Sequence, residues 1–253
     1  MTEPLFSDAH VPPPAAPADP DRLPHLHRLL LGYYGQPKPR IPWSPLKQFV
    51  YSLLSARTKT AGSDQAMRDL EARFGLDWEA VRDAPVADIE QTIQAVTFPE
   101  VKAPRLKLAL QQVTARYGSL TLDFLANYRT EKVRAWLESF EGVGPQVSAA
   151  VVNFSTLRRR AIALDGNHLR VVHRLGLTPR TEPRRTEELL MRMVPETWTA
   201  AMLDEHHSLF KIHGQTLCTF ADPRCTECPI LRLCRHGQRL LGKDAPAGAG
   251  RVS

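Results

Sequence analysis

Apolar residues recur along this chain at three- and four-residue intervals, with almost none of the strict alternation of a half-buried strand. In "SPLKQFVYSLLSA" the residues Phe49, Val50, Leu53 and Leu54 share one face of a predicted helix. After the polar stretch "RTKTAGSD", read as a loop, a second helix runs through Ala66, Met67, Leu70 and Phe74. Similar periods predict helices over "PHLHRLLLGYYG", "VADIEQTIQAV", "APRLKLALQQVTARYG", "TEKVRAWLESF", "QVSAAVVNFS", "GNHLRVVHRLGL", "TEELLMRMV" and "AMLDEHHSLFKIHGQTLC". No solenoid-type repeat is evident, and the expected fold class is all-α.

One junction between helices differs from an ordinary turn. Val133, Trp136, Leu137 and Phe140 line one helix, Val147, Ala150, Val151 and Phe154 the next, and "EGVGP" joins them. Gly142 and Gly144 can take positive φ and admit a ligand close to the backbone, while Pro145 suits a first helical turn. The unpaired N–H groups of that turn, at the positive end of the helix dipole, suit an anion such as a DNA phosphate. An αα-hairpin closed by glycines for purely structural reasons is the other reading.

The chain has 253 residues, enough for one large domain or two lobes, and two are expected. Its 33 Lys and Arg against 27 Asp and Glu, a formal charge of +6, favour a polyanionic partner. No apolar run approaches the roughly 18 residues of a membrane span, and the Pro-rich "HVPPPAAPADP" stands where a signal peptide would be apolar. A soluble intracellular protein is expected, cytoplasmic and nucleoid-associated if prokaryotic, with disordered tails at residues 1–20 and in "GKDAPAGAGRVS".

All four cysteines, Cys218, Cys225, Cys228 and Cys234, fall within seventeen residues, with gaps of six, two and five. A disulfide framework would spread them, so they read as one metal or cluster site. The wide, tight and medium gaps suit a tetrathiolate [4Fe–4S] cluster better than zinc, which usually joins two close pairs. His206, His207 and His213, just upstream, read as packing or DNA-facing residues rather than ligands.

Together, the Gly-Val-Gly hairpin, the aspartate of "IALDGNHLRVVHRLGL" and the closing "HHSLFKIHGQTLCTFADPRCTECPILRLC" resemble the endonuclease III branch of the helix-hairpin-helix DNA glycosylases, from about Arg22 to His236. The resemblance implies a six-helix lobe, residues 45–158 with the hairpin at about 130–154. It also implies a cluster lobe, residues 21–44 plus 159–237, with residues 238–253 as a flexible tail. DNA would bend across the cleft, and the target base would be flipped out. By the same resemblance the hole in the stack would be filled from Arg57, where the family has glutamine, and from Phe98 ahead of the "KA" dipeptide. Arg57 also reads as a phosphate-binding or solvated loop arginine, and Phe98 as core. Gly142, Val143, Gly144 and Arg224 complete the implied DNA contacts, and the implied partner is damaged double-stranded DNA bound by a monomer.

Asp165 matches the family aspartate that stabilises oxocarbenium charge and orients or deprotonates a nucleophile, although an aspartate there is equally an N-cap. Gly166 and Asn167 depart from the Thr-His that usually follows. Gln146 stands where strand-nicking members carry a lysine that forms a Schiff base. An amide lone pair is delocalised into its carbonyl, so Gln146 can hydrogen-bond but cannot attack. Lys132 lies back along the preceding helix, and Arg158, Arg159 and Arg160 read as a solvated or phosphate-facing patch. The expectation is a monofunctional N-glycosylase, with oxidised pyrimidines as default substrate and weak or absent lyase activity. A catalytically silent protein that binds lesions or distorted DNA is the alternative.

Overall fold

Prolines, capping side chains and glycines cut the chain into helices. A computed structural model of the protein describes residues 21–75 and 77–242. Among these, twelve α-helices follow one another: α1 (Arg22–Tyr34), α2 (Pro45–Ser55), α3 (Thr60–Phe74), α4 (Trp78–Asp83), α5 (Val86–Thr92), α6 (Pro99–Tyr117), α7 (Thr130–Glu138), α8 (Pro145–Phe154), α9 (Gly166–Leu175), α10 (Pro183–Met191), α11 (Ala200–Thr216) and α12 (Arg235–Leu240). Ser44 caps α2 by accepting from the Lys47 amide, Asp77 caps α4, and Thr199 caps α11. Gly75, Gly118 and Gly176 close α3, α6 and α9 in the left-handed conformation that glycine reaches without strain.

The apolar faces assemble two cores. Helices α2 to α8 surround Phe49, Leu54, Leu106, Leu110, Val133, Leu137 and Val151. Helices α1, α9, α10 and α11, with the cysteine loop, surround Leu23, Leu26, Val172, Leu175, Leu209, Phe210 and Ile230. Between them runs an extended segment whose side chains alternate by core: Ala161 and Ala163 enter the first, Ile162 and Leu164 the second. Period-two geometry thus seals the seam with one short stretch of backbone. The segment ends at Asp165, which is why that residue sits between the two lobes.

Helix α8 is the central element. Every residue from Val147 to Phe154 is buried, as expected of a helix packed on all sides, while Gly144, Pro145 and Gln146 remain half-exposed. Only its first turn therefore reaches the surface. Across the seam, Arg134 of α7 binds both carboxylate oxygens of Glu187 on α10, both nearly buried, and Arg184 pairs with Glu138. Asp204 of α11 bridges Arg40, at 3.1 Å, and Arg158, at 3.0 Å.

Several sequence expectations are corrected. "RTKTAGSD" is a loop only as far as Lys59, because Thr60 already starts α3. Helix α5 stops at Thr92, and α4 and α12 lie where no helix was predicted. Residues 238–240, assigned to the flexible tail, are the last turn of α12. The expected tails at 1–20 and 243–253 lie outside the described residues.

Candidate nucleic-acid interface and active site

The two glycines in the hairpin turn between α7 and α8 differ in conformation and surroundings. Gly142 adopts φ +78°, and a Cβ there would stand 3.4 Å from Arg105 Cδ. Gly144 instead has extended backbone, φ −101°, and a Cβ there would meet nothing within 4 Å. Positive φ was expected at both and occurs only at the first. Val143 between them is buried and anchors the turn. The first-turn amides of α8 have no preceding helical turn to bind. Arg134 steadies this end, donating to the Pro145 carbonyl at 3.2 Å and to Ser148 Oγ at 3.1 Å.

Asp165 is the N-cap of α9, its Oδ1 accepting from the His168 amide at 2.8 Å. Burial pushes the carboxyl up, yet His207, the His168 amide, His168 itself and Lys211 more than offset it, so it stays below its ordinary range and ionised. Behind it lies a layer of buried imidazoles. His168 is fully buried with both ring nitrogens unpartnered, 5.2 Å from the His206 ring and 4.8 Å from Phe210. Its pKa falls to about 3, burial being the main cause and His207 the next. His207 Nδ1 donates to the Ala163 carbonyl at 2.7 Å, and its ring lies 5.0 Å from Phe154. His206 and His207 are thus packing residues.

Asn167 turns toward α11. Its Oδ1 accepts from Arg170 at 2.9 Å, and Gly214 admits it, since a Cβ there would fall 2.7 Å from Asn167 Cβ. Arg170 continues to the carbonyls of Gly214 and Cys218, tying the start of α9 to the cysteine loop.

Cys218, Cys225, Cys228 and Cys234 all line one cavity, walled by Val171, Leu175 and Leu217. Arg174 donates to Cys218 Sγ at 3.3 Å and the Gly237 amide to Cys234 Sγ at 3.4 Å. A Cβ at Gly237 would stand 2.8 Å from Leu231 Cδ1 and in ordinary contact with the sulfurs of Cys225 and Cys234, so the glycine borders this cavity closely. Burial raises the thiols of Cys225, Cys228 and Cys234, that of Cys228 to about 12. Among the described residues no three His, Cys, Asp or Glu side chains are grouped closely enough to hold a single metal ion. Four thiols lining one cavity are a donor set of the kind that holds soft metal ions or iron–sulfur clusters.

Residues 50–196 match the HhH-GPD superfamily of base excision DNA repair proteins. The chain belongs to this superfamily. Endonuclease III of Bacillus subtilis is 29% identical over 200 residues, 78% of this chain and 83% of that protein. The DNA glycosylase/AP lyase ROS1 of Arabidopsis thaliana is 27% identical over 216 residues, and protein ROS1A of rice 26% over 213. The chain spans only 15% and 11% of those two plant proteins. An endonuclease III solved in a non-covalent complex with DNA superposes with a TM-score of 0.73 at 20% identity, covering 88% of this chain and 99% of that one. A thermostable thymine-DNA glycosylase superposes with 0.66 at 18% identity, covering 88% and 99%. The all-α fold is the endonuclease III fold.

Gln146 is half-exposed in the first turn of α8, and no side chain among the described residues hydrogen-bonds its amide. Arg57 and Phe98 are exposed and carry φ of +56° and +60°, a conformation costing about 1–2 kcal/mol without glycine. Phe98, with half its surface in solvent, is not core. Arg224 braces the cysteine loop through Glu227 at 3.2 Å and the Thr216 carbonyl. His213 lies against Tyr34 Oη and 3.7 Å from Cys228 Sγ, and Lys132 sits over the Tyr128 ring. The arginine triplet is held by backbone carbonyls, with Arg160 still exposed: Arg158 bonds Arg40, Arg159 bonds Leu125, Ala126 and Tyr128, and Arg160 bonds Pro195. Sequence reasoning missed Arg134 and Lys102, whose partners are set by the fold. The only signal for Lys102 was its place in the "KA" dipeptide after Phe98.

Proposed function

We propose that the protein is a monofunctional DNA N-glycosylase that removes damaged bases, oxidised pyrimidines by default, from double-stranded DNA. The observation that carries this reading is the pairing of an ionised Asp165 at the lobe seam with a glutamine, not an amine, at the head of α8. Cleaving an N-glycosidic bond builds positive charge on the deoxyribose, and a preorganised carboxylate stabilises it and orients the attacking water. Gln146 can hold that water or the flipped base by hydrogen bonds but cannot form a Schiff base. Gly142, Val143 and Gly144 present α8 to a phosphate, Arg224 adds a contact from the cysteine loop, and Arg57 and Phe98 form the wedge that fills the vacated stack.

The four cysteines would hold a [4Fe–4S] cluster, whose positive irons offset the charge of four buried thiolates. Its contribution is to shape the loop from Cys218 to Cys234 against α9. The protein acts as a monomer, in the compartment that holds the DNA.

The missing amine also suits a catalytically silent lesion-binding protein. Release of free base from lesion-bearing duplexes at enzyme excess separates the two readings: excision from any of an oxidised-pyrimidine, uracil, thymine-mismatch or alkylated duplex supports the glycosylase, and none from all four refutes it.

A further inference from the structure

Arg57 and Phe98 lie forty-one residues apart, yet a single side chain ties their loops together. Lys102 Nζ donates to the carbonyls of Leu54 at 2.6 Å and Ala56 at 2.7 Å, and to Thr58 Oγ1 at 2.6 Å. Those acceptors bracket Arg57 on both sides. The backbone amide of Lys102 donates at 3.1 Å to the carbonyl of Phe98, which precedes its own helical turn. The side chain thus pins the loop of Arg57 to the first turn of α6, the turn that Phe98 caps. Two further contacts close the arrangement: the Thr97 amide donates to Thr58 Oγ1 at 3.1 Å, and Gly62 lets α3 approach so closely that a Cβ would stand 2.4 Å from the Ala95 carbonyl.

Burial pushes the Lys102 ammonium down to about 8. Its amine nevertheless meets two carbonyl oxygens and the Thr58 hydroxyl at ordinary hydrogen-bond distance, so all three partners are satisfied by the ammonium. Lys102 is thus a tether whose amine is engaged by three partners.

We propose that Lys102 is a positioning residue that locks Arg57 and Phe98 into one preformed two-pronged wedge, so that duplex DNA is opened by a rigid element rather than by loops ordered on binding. This inference rests on the wedge reading of those two residues. A preformed wedge spares the ordering cost that flexible loops would meet in the complex. Strain held at two exposed, non-glycine residues is the signature expected when the surroundings over-determine a functional loop. Lys102 also neutralises the carbonyl end of α2, a purely structural role that the experiment must separate from wedge positioning.

The test uses the full chain, an end-labelled duplex carrying a tetrahydrofuran abasic-site analogue, and the matching intact duplex. Energy transfer reports the bend and titration reports the affinity for each. Lys102→Met is expected to keep its affinity for intact DNA within about twofold while losing roughly tenfold in preference for the abasic duplex, together with the bend. In the Arg57→Ala/Phe98→Ala background, adding Lys102→Met should change nothing further, because effects exerted through the same prongs do not add. A folded Lys102→Met protein that bends and discriminates like wild type overturns the inference, as does an equal loss on both duplexes. Should that variant not fold, Thr58→Val, which removes the shared acceptor, must lose preference in the same sense, and retained preference overturns the inference. Wild-type protein that neither bends nor prefers the abasic duplex refutes the wedge reading itself, and the positioning role with it.

Discussion

Asp165 and His168 are joined by a 2.8 Å hydrogen bond from the backbone amide of one to the carboxylate of the other, so a single side chain caps α9 and faces the lobe seam. Asparagine caps helices about as well as aspartate but carries no charge. Asp165→Asn should keep its melting temperature and its DNA affinity while base release falls by roughly a hundredfold or more. Single-turnover excision beside a thermal melt measures both, and activity near wild type would leave Asp165 as a cap alone.

At Gln146 the expected chemistry is an absence. Borohydride should trap little covalent protein–DNA complex with the wild-type chain, and abasic sites should outlast base release. Gln146→Lys places an amine where the helix dipole disfavours its protonation, and a trappable adduct with weak strand nicking should appear. Efficient trapping by the wild-type protein would mean that another amine serves the site.

Gly142 and Gly144 should respond oppositely to valine. Gly142→Val forces a β-branched residue into φ +78° beside Arg105 and should destabilise the fold by about 1–2 kcal/mol. Gly144→Val meets neither strain nor neighbours, so its melt should be unchanged. Its affinity should instead fall alike on all duplexes, because the new side chain occupies the path of a phosphate. Denaturant titrations and binding curves at several salt concentrations give the comparison.

The cysteine cavity predicts about four irons and four sulfides per chain in purified protein, the content of one cubane. Colorimetric assay checks it, and one zinc without sulfide would refute it. Cys228→Ser should lower solubility, because the loop would lose its link to α9.

The buried imidazoles set an acid limit on stability. His168, His206 and His207 all have pKa values lowered from 6.5 by burial, so the unfolded chain binds their protons first. Stability is therefore whole above about pH 6.5 and declines as the pH falls below it. A single imidazole lowered to about 3 costs about 2 kcal/mol by pH 5. The depressed Asp165 carboxyl acts in the same direction, but only below its ordinary range. Urea midpoints between pH 5 and 8 should fall toward the acid side, and His168→Phe should flatten the slope.

The sequence by itself determined what depends on neighbours a few positions away. Helical periods, the N-cap at Asp165, the turn at Gly142 and the close spacing of four cysteines are local patterns, each with one favourable geometry. The place of Asp165 before a helix marks it as a cap, and only the family resemblance marks it as a candidate catalytic carboxylate. The tertiary structure decided what depends on partners far along the chain. The arginines 158–160 looked free because charge does not reveal a partner, and only the fold brings carbonyls to them. Residues 161–164 showed no polar–apolar alternation because both sides of the segment are buried, one in each core. Lys102 reads as one more helix lysine until α2 ends beside it, and the strain at Arg57 and Phe98 has no sequence signal, since residue type alone does not encode a positive φ.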